Sequence, residues 1–257
     1  MTQAIHAEWT KLRTTPGPAM LLIAVIVLTV GTGALTTGIV QCPASCSADP
    51  ARLSLAGIML GQAAVAGLAV LVVTAEYSTG MVRVSLTAVP RRSVLFAAKA
   101  SVVTAVVLVA GAVSVLGSML AARLQLPANG FTPAHGFAAL SLLHGPTLRA
   151  AAGSLLYLLL IGLFSLGAAT AVRDSAAATA VVLGVIYVIP LLGDFALSPT
   201  WRHRIERWTP MDAGLAIQAT RNIGKLPIAP WPGLGVLGLW AAAALAAGWL
   251  VLRLRDA

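Results

Sequence analysis

The residues of this chain that could do chemistry carry charge; they are not nucleophiles or metal ligands in any working arrangement. Glu76, Gly80 and Arg83 are spaced E-x3-G-x2-R, Pro90-Arg91-Arg92 follows, and Lys99 lies in the next apolar run. An earlier segment holds Glu8, Lys11 and Arg13, closed by Pro16 and Pro18. The stretch from Glu76 to Arg92 reads as a helix end, a break at Gly80, a short helix and a stop at Pro90. Val82, Leu86 and Val89 fall at i, i+4 and i+7, giving that short helix one apolar face. Such an element lies along a membrane surface, where a soluble partner can push on it. The alternative is a plain basic loop between two spans.

Other chemistries fail on the residues they need. No G-x4-G-K-[ST] string occurs, so the chain has no P-loop for ATP phosphates. Gly233-Leu-Gly235-Val-Leu-Gly238 matches G-x-G-x-x-G but opens an apolar span, where close helix packing is the sensible reading. No H-E-x-x-H and no G-x-S-x-G occurs. His6, His135, His144 and His203 are scattered over different polar segments, with no zinc-type cluster. The expectation is a protein that is not an enzyme, with no cofactor, no metal and no catalytic residue of its own. Cys42 and Cys46 share one short loop, C-P-A-S-C. They are either two thiols or, if the loop is extracytoplasmic, a small disulfide.

The composition says what must position these groups. The chain has 257 residues, of which 58% are hydrophobic and only 10% charged, with a mean hydropathy of +0.90. A soluble domain carries about 25% charged residues, so a soluble enzyme is excluded. The formal net charge is +9, but the cations stand singly or in small groups between apolar runs. They orient spans and meet anionic headgroups; nucleic acid is not expected as a partner. Arg outnumbers Lys 14 to 3 and Ala is abundant, a bias that suggests a GC-rich, actinobacterial genome.

Six apolar runs are long enough to cross a bilayer, which takes about 20 residues each. They cover about 19–40, 53–75, 93–122, 150–172, 176–197 and 232–252, all within one transmembrane domain, residues 1–257. The fold class is therefore all-α integral membrane. Ile5, Trp9 and Leu12 place an apolar face on an N-terminal helix that would lie in the interface plane. Ser54 is expected to cap the second span, with Gly57 and Gly61 giving it a small-xxx-small packing face. Thr132-Pro133 predicts a helix start with Phe137, Leu140 and Leu143 on its apolar face, ended by Gly145-Pro146. Arg173-Asp174-Ser175 predicts a tight turn, Pro190 a kink or break in the fifth span, and Thr209-Pro210-Met211-Asp212 another capped start. Span centres hold almost no ionisable groups: Asp194 lies near a span end, and Lys99 is expected to snorkel to the interface. The energy for any transport must then come from another subunit.

Even spans put both termini on one side. That side holds nine Lys/Arg against eight on the other, or nine against three once the long loop 198–231 is set aside. The count favours cytoplasmic termini in a cell membrane.

At Glu76, Gly80, Arg83, Pro90, Arg91, Arg92 and Lys99 the sequence resembles the permease family of type-2 ATP-binding-cassette (ABC) exporters. The opening Ala7-Glu-Trp-Thr-Lys-Leu-Arg-Thr14 and the ending Leu252-Arg-Leu-Arg-Asp-Ala257 are similar to actinobacterial members. The resemblance covers all six spans. It implies an interfacial helix before the first span, a coupling helix between spans two and three that docks on a P-loop ATPase subunit, and short re-entrant helices in an extracytoplasmic loop between spans five and six. It also implies two permease chains, in a homo- or heterodimer, with ATP bound by the partner. Glu8, Lys11, Arg13, Glu76, Gly80, Arg83, Pro90 and Arg91 are the candidates for ATPase coupling; the alternative for each charged one is a solvated charge beside headgroups. The basic loop 198–231 departs from the more acidic loop of many members.

The expected function is outward movement of an amphiphilic or apolar substrate, such as a drug, antibiotic or lipid, through a pathway lined by Leu, Val, Ala, Gly and Ser. The rival readings are an ATP-independent secondary transporter or channel, which needs an ion-binding residue at mid-span, and a non-transporting membrane scaffold.

Overall fold

The structure is a computed structural model that describes residues 2–42, 46–78, 92–137, 140–196 and 199–254. Among these residues all regular structure is helical. The helices are α1 (Thr2–Thr14), α2 (Pro16–Ile39), α3 (Pro50–Ser54), α4 (Ile58–Ser78), α5 (Arg92–Gln125), α6 (Gly145–Val172), α7 (Ser175–Leu183), α8 (Ile189–Ala196), α9 (Pro199–Trp208), α10 (Pro210–Leu215) and α11 (Pro230–Leu254). Six of the helical stretches are long and apolar enough to cross a membrane: α2, α4, α5, α6, the α7–α8 rod and α11. The protein is an all-α, multi-pass membrane protein.

The side chains are sorted as a bilayer requires. On α2 the buried stripe is Val25, Thr29, Gly33 and Thr37, while Met20, Ile23, Val27, Leu35 and Ile39 face outward, each at least 60% exposed. In lipid there is no hydrophobic drive to turn large apolar groups inward, so small residues take the helix contacts. A Cβ on Gly57 would lie 1.9 Å from the Thr29 carbonyl oxygen, and one on Gly61 2.0 Å from Thr29 Oγ1. That is the packing face expected of Gly57 and Gly61. A second crossing of the same kind joins α6 to α11, the most extensive helix pair. There a Cβ on Gly167 would lie 2.4 Å from Ala244 backbone, and one on Gly248 2.6 Å from the Gly167 carbonyl oxygen. α6 sits at the centre, against α4, α5, α7 and α11. Tyr157 on α6 is fully buried and donates its hydroxyl hydrogen to Gln62 Oε1 on α4.

Several local expectations are corrected. Ser54 does not cap the second span. Asp49 caps the separate helix α3 through Ala51 N and Arg52 N, with Pro50 at its first position, and Ser54 Oγ turns back to Ala51 O. An Asp-Pro pair is the stronger start signal, because Asp accepts the orphan N–H groups and Pro needs none. Thr132-Pro133 opens only a 3-10 turn, Pro133–His135, closed by Gly136 at φ 79°. Phe137 is buried against Phe131, but Leu143 is 96% exposed. Gly145-Pro146 does not end a helix; it starts α6, five residues before the expected boundary, with Pro in the first turn.

Other expectations stand in modified form. Arg173 takes φ 65° and closes α6, and Asp174 Oδ1 accepts from Ala177 N to start α7. The Pro190 disturbance takes the form of a π-turn one step earlier, Gly184–Val188, where Ile189 N donates to Gly184 O. Widening the turn relieves the clash that a proline ring makes with the preceding turn. Thr209-Pro210 opens α10, with Thr209 Oγ1 on Asp212 Oδ2 at 2.9 Å. Gly233, first of the G-x-G-x-x-G string, packs α11 onto the Ala213 carbonyl of α10.

Candidate functional site

The site forms where α1, the end of α4 and the start of α5 meet. α1 carries Lys11 and Arg13 in its last turn, where cations complement the helix C-terminus. Its final carbonyls are taken up by hydroxyls: Thr14 Oγ1 donates to Thr10 O at 3.0 Å, and Thr15 Oγ1 to Lys11 O at 2.8 Å. Pro16 then starts α2 at once. The stripe that α1 turns to the bundle is Ala4, Glu8 and Leu12. The expected apolar face is thus rotated by about one residue: Trp9 is 43% exposed, and a carboxylate occupies the buried stripe.

Glu8 can be buried because two ammonium groups meet it. Lys11 Nζ lies 3.0 Å from Glu8 Oε1 and 2.6 Å from Glu76 Oε1. Lys99 Nζ lies 2.8 Å from Glu8 Oε2 and 2.7 Å from Glu76 Oε1. The four groups close a ring of alternating sign and zero net charge. Lys99 Nζ also donates to Val72 O at 3.3 Å, which matches its three N–H donors to three acceptors. The Lys99, Glu8 and Glu76 side chains are 8%, 4% and 8% exposed, while Lys11 keeps 34%. Lys99 therefore does not snorkel, and Glu8 and Glu76 are not solvated charges beside headgroups. Burying an ion is expensive unless its hydrogen bonds are met, and the ring together with the Val72 carbonyl meets all three of those that Lys99 can donate.

Burial by itself lowers the Lys11 pKa. The hydrogen bonds and charges of Glu76 and Glu8 outweigh it and hold the ammonium above its ordinary 10.5. Beside the ring, α1, the start of α2 and the end of α4 enclose a cleft of about 420 Å³, lined by Lys11, Thr15, Pro18, Leu71, Ala75 and Glu76 among others. The same end of the bundle is fastened by two arginines on the last carbonyls of α11. Arg92 Nη1 donates to Leu252 O at 2.9 Å and Arg173 Nη2 to Val251 O at 3.1 Å.

Of the residues expected to couple, Glu8, Lys11 and Glu76 are brought together. Arg13 is exposed on the far side of α1 and is not in the ring. Gly80, Arg83, Pro90 and Arg91, with the short helix expected over Val82–Val89, lie outside the described residues. That segment leaves from the end of α4, within a turn of Glu76. The pattern E-x3-G-x2-R pointed to Glu76, but only the fold joins it to Glu8.

At the opposite end Cys42 and Cys46 are disulfide-bonded, with Cα atoms 5.7 Å apart. Asp49, which the sequence reading passed over, ties this loop to the last one. Its carboxylate accepts from Thr220 N, from Thr220 Oγ1 at 2.6 Å and from Arg221 N at 2.9 Å. The Asp-Pro pair was its only signal. Among the described residues no group of three His, Cys, Asp or Glu side chains could hold a metal ion. The ring joins α1 through charged contacts to the end of α4 and the start of α5. No family model and no curated protein sequence matches the chain.

Proposed function

We propose that this chain is the membrane subunit of an ABC exporter, driven by ATP hydrolysis on a separate P-loop ATPase subunit and working as one of two permease chains. The observation that carries the reading is the buried ring Glu8–Lys11–Glu76–Lys99. It locks the N-terminal helix to the two spans that flank segment 79–91, the segment with the coupling-helix pattern. Force applied to either surface element would reach both spans without loss into a soft contact, since breaking a buried ion pair is costly. Span centres with almost no ionisable groups favour an external energy source over an ion gradient. The substrate class that fits an apolar, weakly polar bundle is an amphiphilic or apolar drug, antibiotic or lipid.

In this reading the termini are cytoplasmic and the membrane is the cell membrane. The positive-inside count favours this side, and the Cys42–Cys46 disulfide supports it, because disulfides persist outside the reducing cytosol.

The decisive test is reconstitution with a co-purified ATPase in lipid vesicles. Glu76→Lys and Arg83→Ala should each reduce transport-coupled ATP hydrolysis while the protein still inserts. Normal transport by both variants would remove the coupling assignment. Failure of any ATPase to co-purify would favour a scaffold or an ATP-independent transporter.

A further inference from the structure

The helix α9, Pro199–Trp208, follows the fifth span and folds back along it. Ile205 packs on Gly193 of α8. Three residues on, the Trp208 carbonyl accepts from Trp240 Nε1 at 2.9 Å. Trp240 is ten residues into α11, which at 1.5 Å per residue is about 15 Å from the start of that span. If α11 spans a hydrocarbon core about 30 Å thick, this contact puts the C-terminal end of α9 below the headgroup layer.

A helix at that depth should be apolar, yet α9 reads P-T-W-R-H-R-I-E-R-W. Trp201, Ile205 and Trp208 share one stripe at i, i+4 and i+7. Ile205 packs inward while the two tryptophans stay 55% and 66% exposed, as membrane-interface anchors do. Arg202, Arg204 and Arg207 are exposed as well. Arg202 pairs with Glu206 at 2.9 Å. Among the described residues the other two face no carboxylate. Arg204 sits 5.5 Å from the Trp201 ring centroid, and Arg207 Nε donates to Pro227 O at 2.8 Å. Over residues 198–231 there are five Lys/Arg against two acids, Glu206 and Asp212.

We propose that α9 is a lipid-binding helix whose Arg204 and Arg207 bind the phosphate groups of anionic phospholipids in the leaflet opposite the termini. A guanidinium near the acyl boundary reaches up to the headgroup layer on its apolar stem, and it binds phosphate through paired N–H donors. Among the described residues, Arg204 stacks on Trp201 and Arg207 donates through Nε, which orients each guanidinium and leaves its Nη donors for the lipid. The two tryptophans beside them set the depth.

The test uses the full chain in vesicles of phosphatidylcholine doped with brominated phosphatidylglycerol or brominated phosphatidylcholine. Quenching of Trp201 and Trp208 is read as the difference from a W201F/W208F variant. The expected result is stronger quenching by the anionic lipid at equal mole fraction, with a preference that weakens in high salt. Each cation near an anionic surface should account for about a fivefold preference. Arg204→Gln with Arg207→Gln should therefore abolish most of the preference, the Lys double variant should keep part of it, and R52Q/R123Q should leave it unchanged. Equal quenching by the two lipids in the parent protein would overturn the proposal, as would an undiminished preference in the Gln double variant. Either result leaves the exporter reading where it stands.

Discussion

Lys99 Nζ lies 2.8 Å from Glu8 Oε2 across 91 residues of sequence, so the third span grips the helix that precedes the first. The contact is nearly sealed from solvent on both sides. It makes α1 a structural part of the bundle, whereas an interfacial helix floating on lipid would need no such grip.

Removing one member of the ring should cost more than removing all of it. Lys99→Met removes the ammonium that bridges Glu8 and Glu76 and should destabilise the protein by about 3–5 kcal/mol. Replacing all four charges with Met and Gln should recover much of that loss. Thermal unfolding of the purified protein measures both. A loss below about 1 kcal/mol for the single variant would show that the ring contributes little.

The Lys11 ammonium gives a pH dependence with a definite sign. Its pKa is raised on folding, burial being outweighed by Glu76 and Glu8. Its contribution to stability is complete below the unfolded value of 10.5 and is lost as pH rises through the raised folded value. Melting temperatures should therefore hold up to about pH 10 and fall above it more steeply in the parent than in Lys11→Met. Parallel curves would contradict the assignment.

Asp49 should matter far more than an exposed loop acid normally does. Asp49→Ala removes the α3 cap, worth about 1 kcal/mol, and strands Thr220 N and Arg221 N. A total near 2–3 kcal/mol is expected. Limited proteolysis between residues 219 and 229 should report it as faster cleavage, with Asp49→Asn intermediate.

The glycines separate into two kinds. Gly57→Ala drives a Cβ into the Thr29 carbonyl and should prevent stable assembly of α2 on α4. Gly235→Ala and Gly238→Ala meet nothing within 4 Å and should be neutral or stabilising by up to about 1 kcal/mol, because alanine is the better helix former. Expression level and gel-filtration profile in detergent distinguish them.

The proposed membrane sidedness can be tested at the disulfide. After mild reduction of intact cells, a membrane-impermeant maleimide should label Cys42 and Cys46 without permeabilisation. Labelling only after lysis would put the termini outside.

Much of this architecture was legible along the chain, and the reason is physical. Whether a segment crosses a bilayer depends on its own apolar length, so the six spans needed no tertiary information. The turn at Arg173-Asp174 and the start at Thr209-Pro210 are likewise governed by residues within a turn of one another. Gly145-Pro146 misled because the same pair can end one helix or begin the next, and only the following residues decide.

By itself the sequence determined the solvent, the number of spans and the scarcity of charge at their centres, since each depends on composition over one window. The tertiary structure decided which charges meet. Glu8, Lys11, Glu76 and Lys99 belong to three helices, and a rotation of α1 by one residue would have turned Glu8 to the surface and Trp9 inward. With Glu8 turned away, the buried Lys99 would keep only one of its two carboxylates, a cost that exists only once α1, α4 and α5 are packed together.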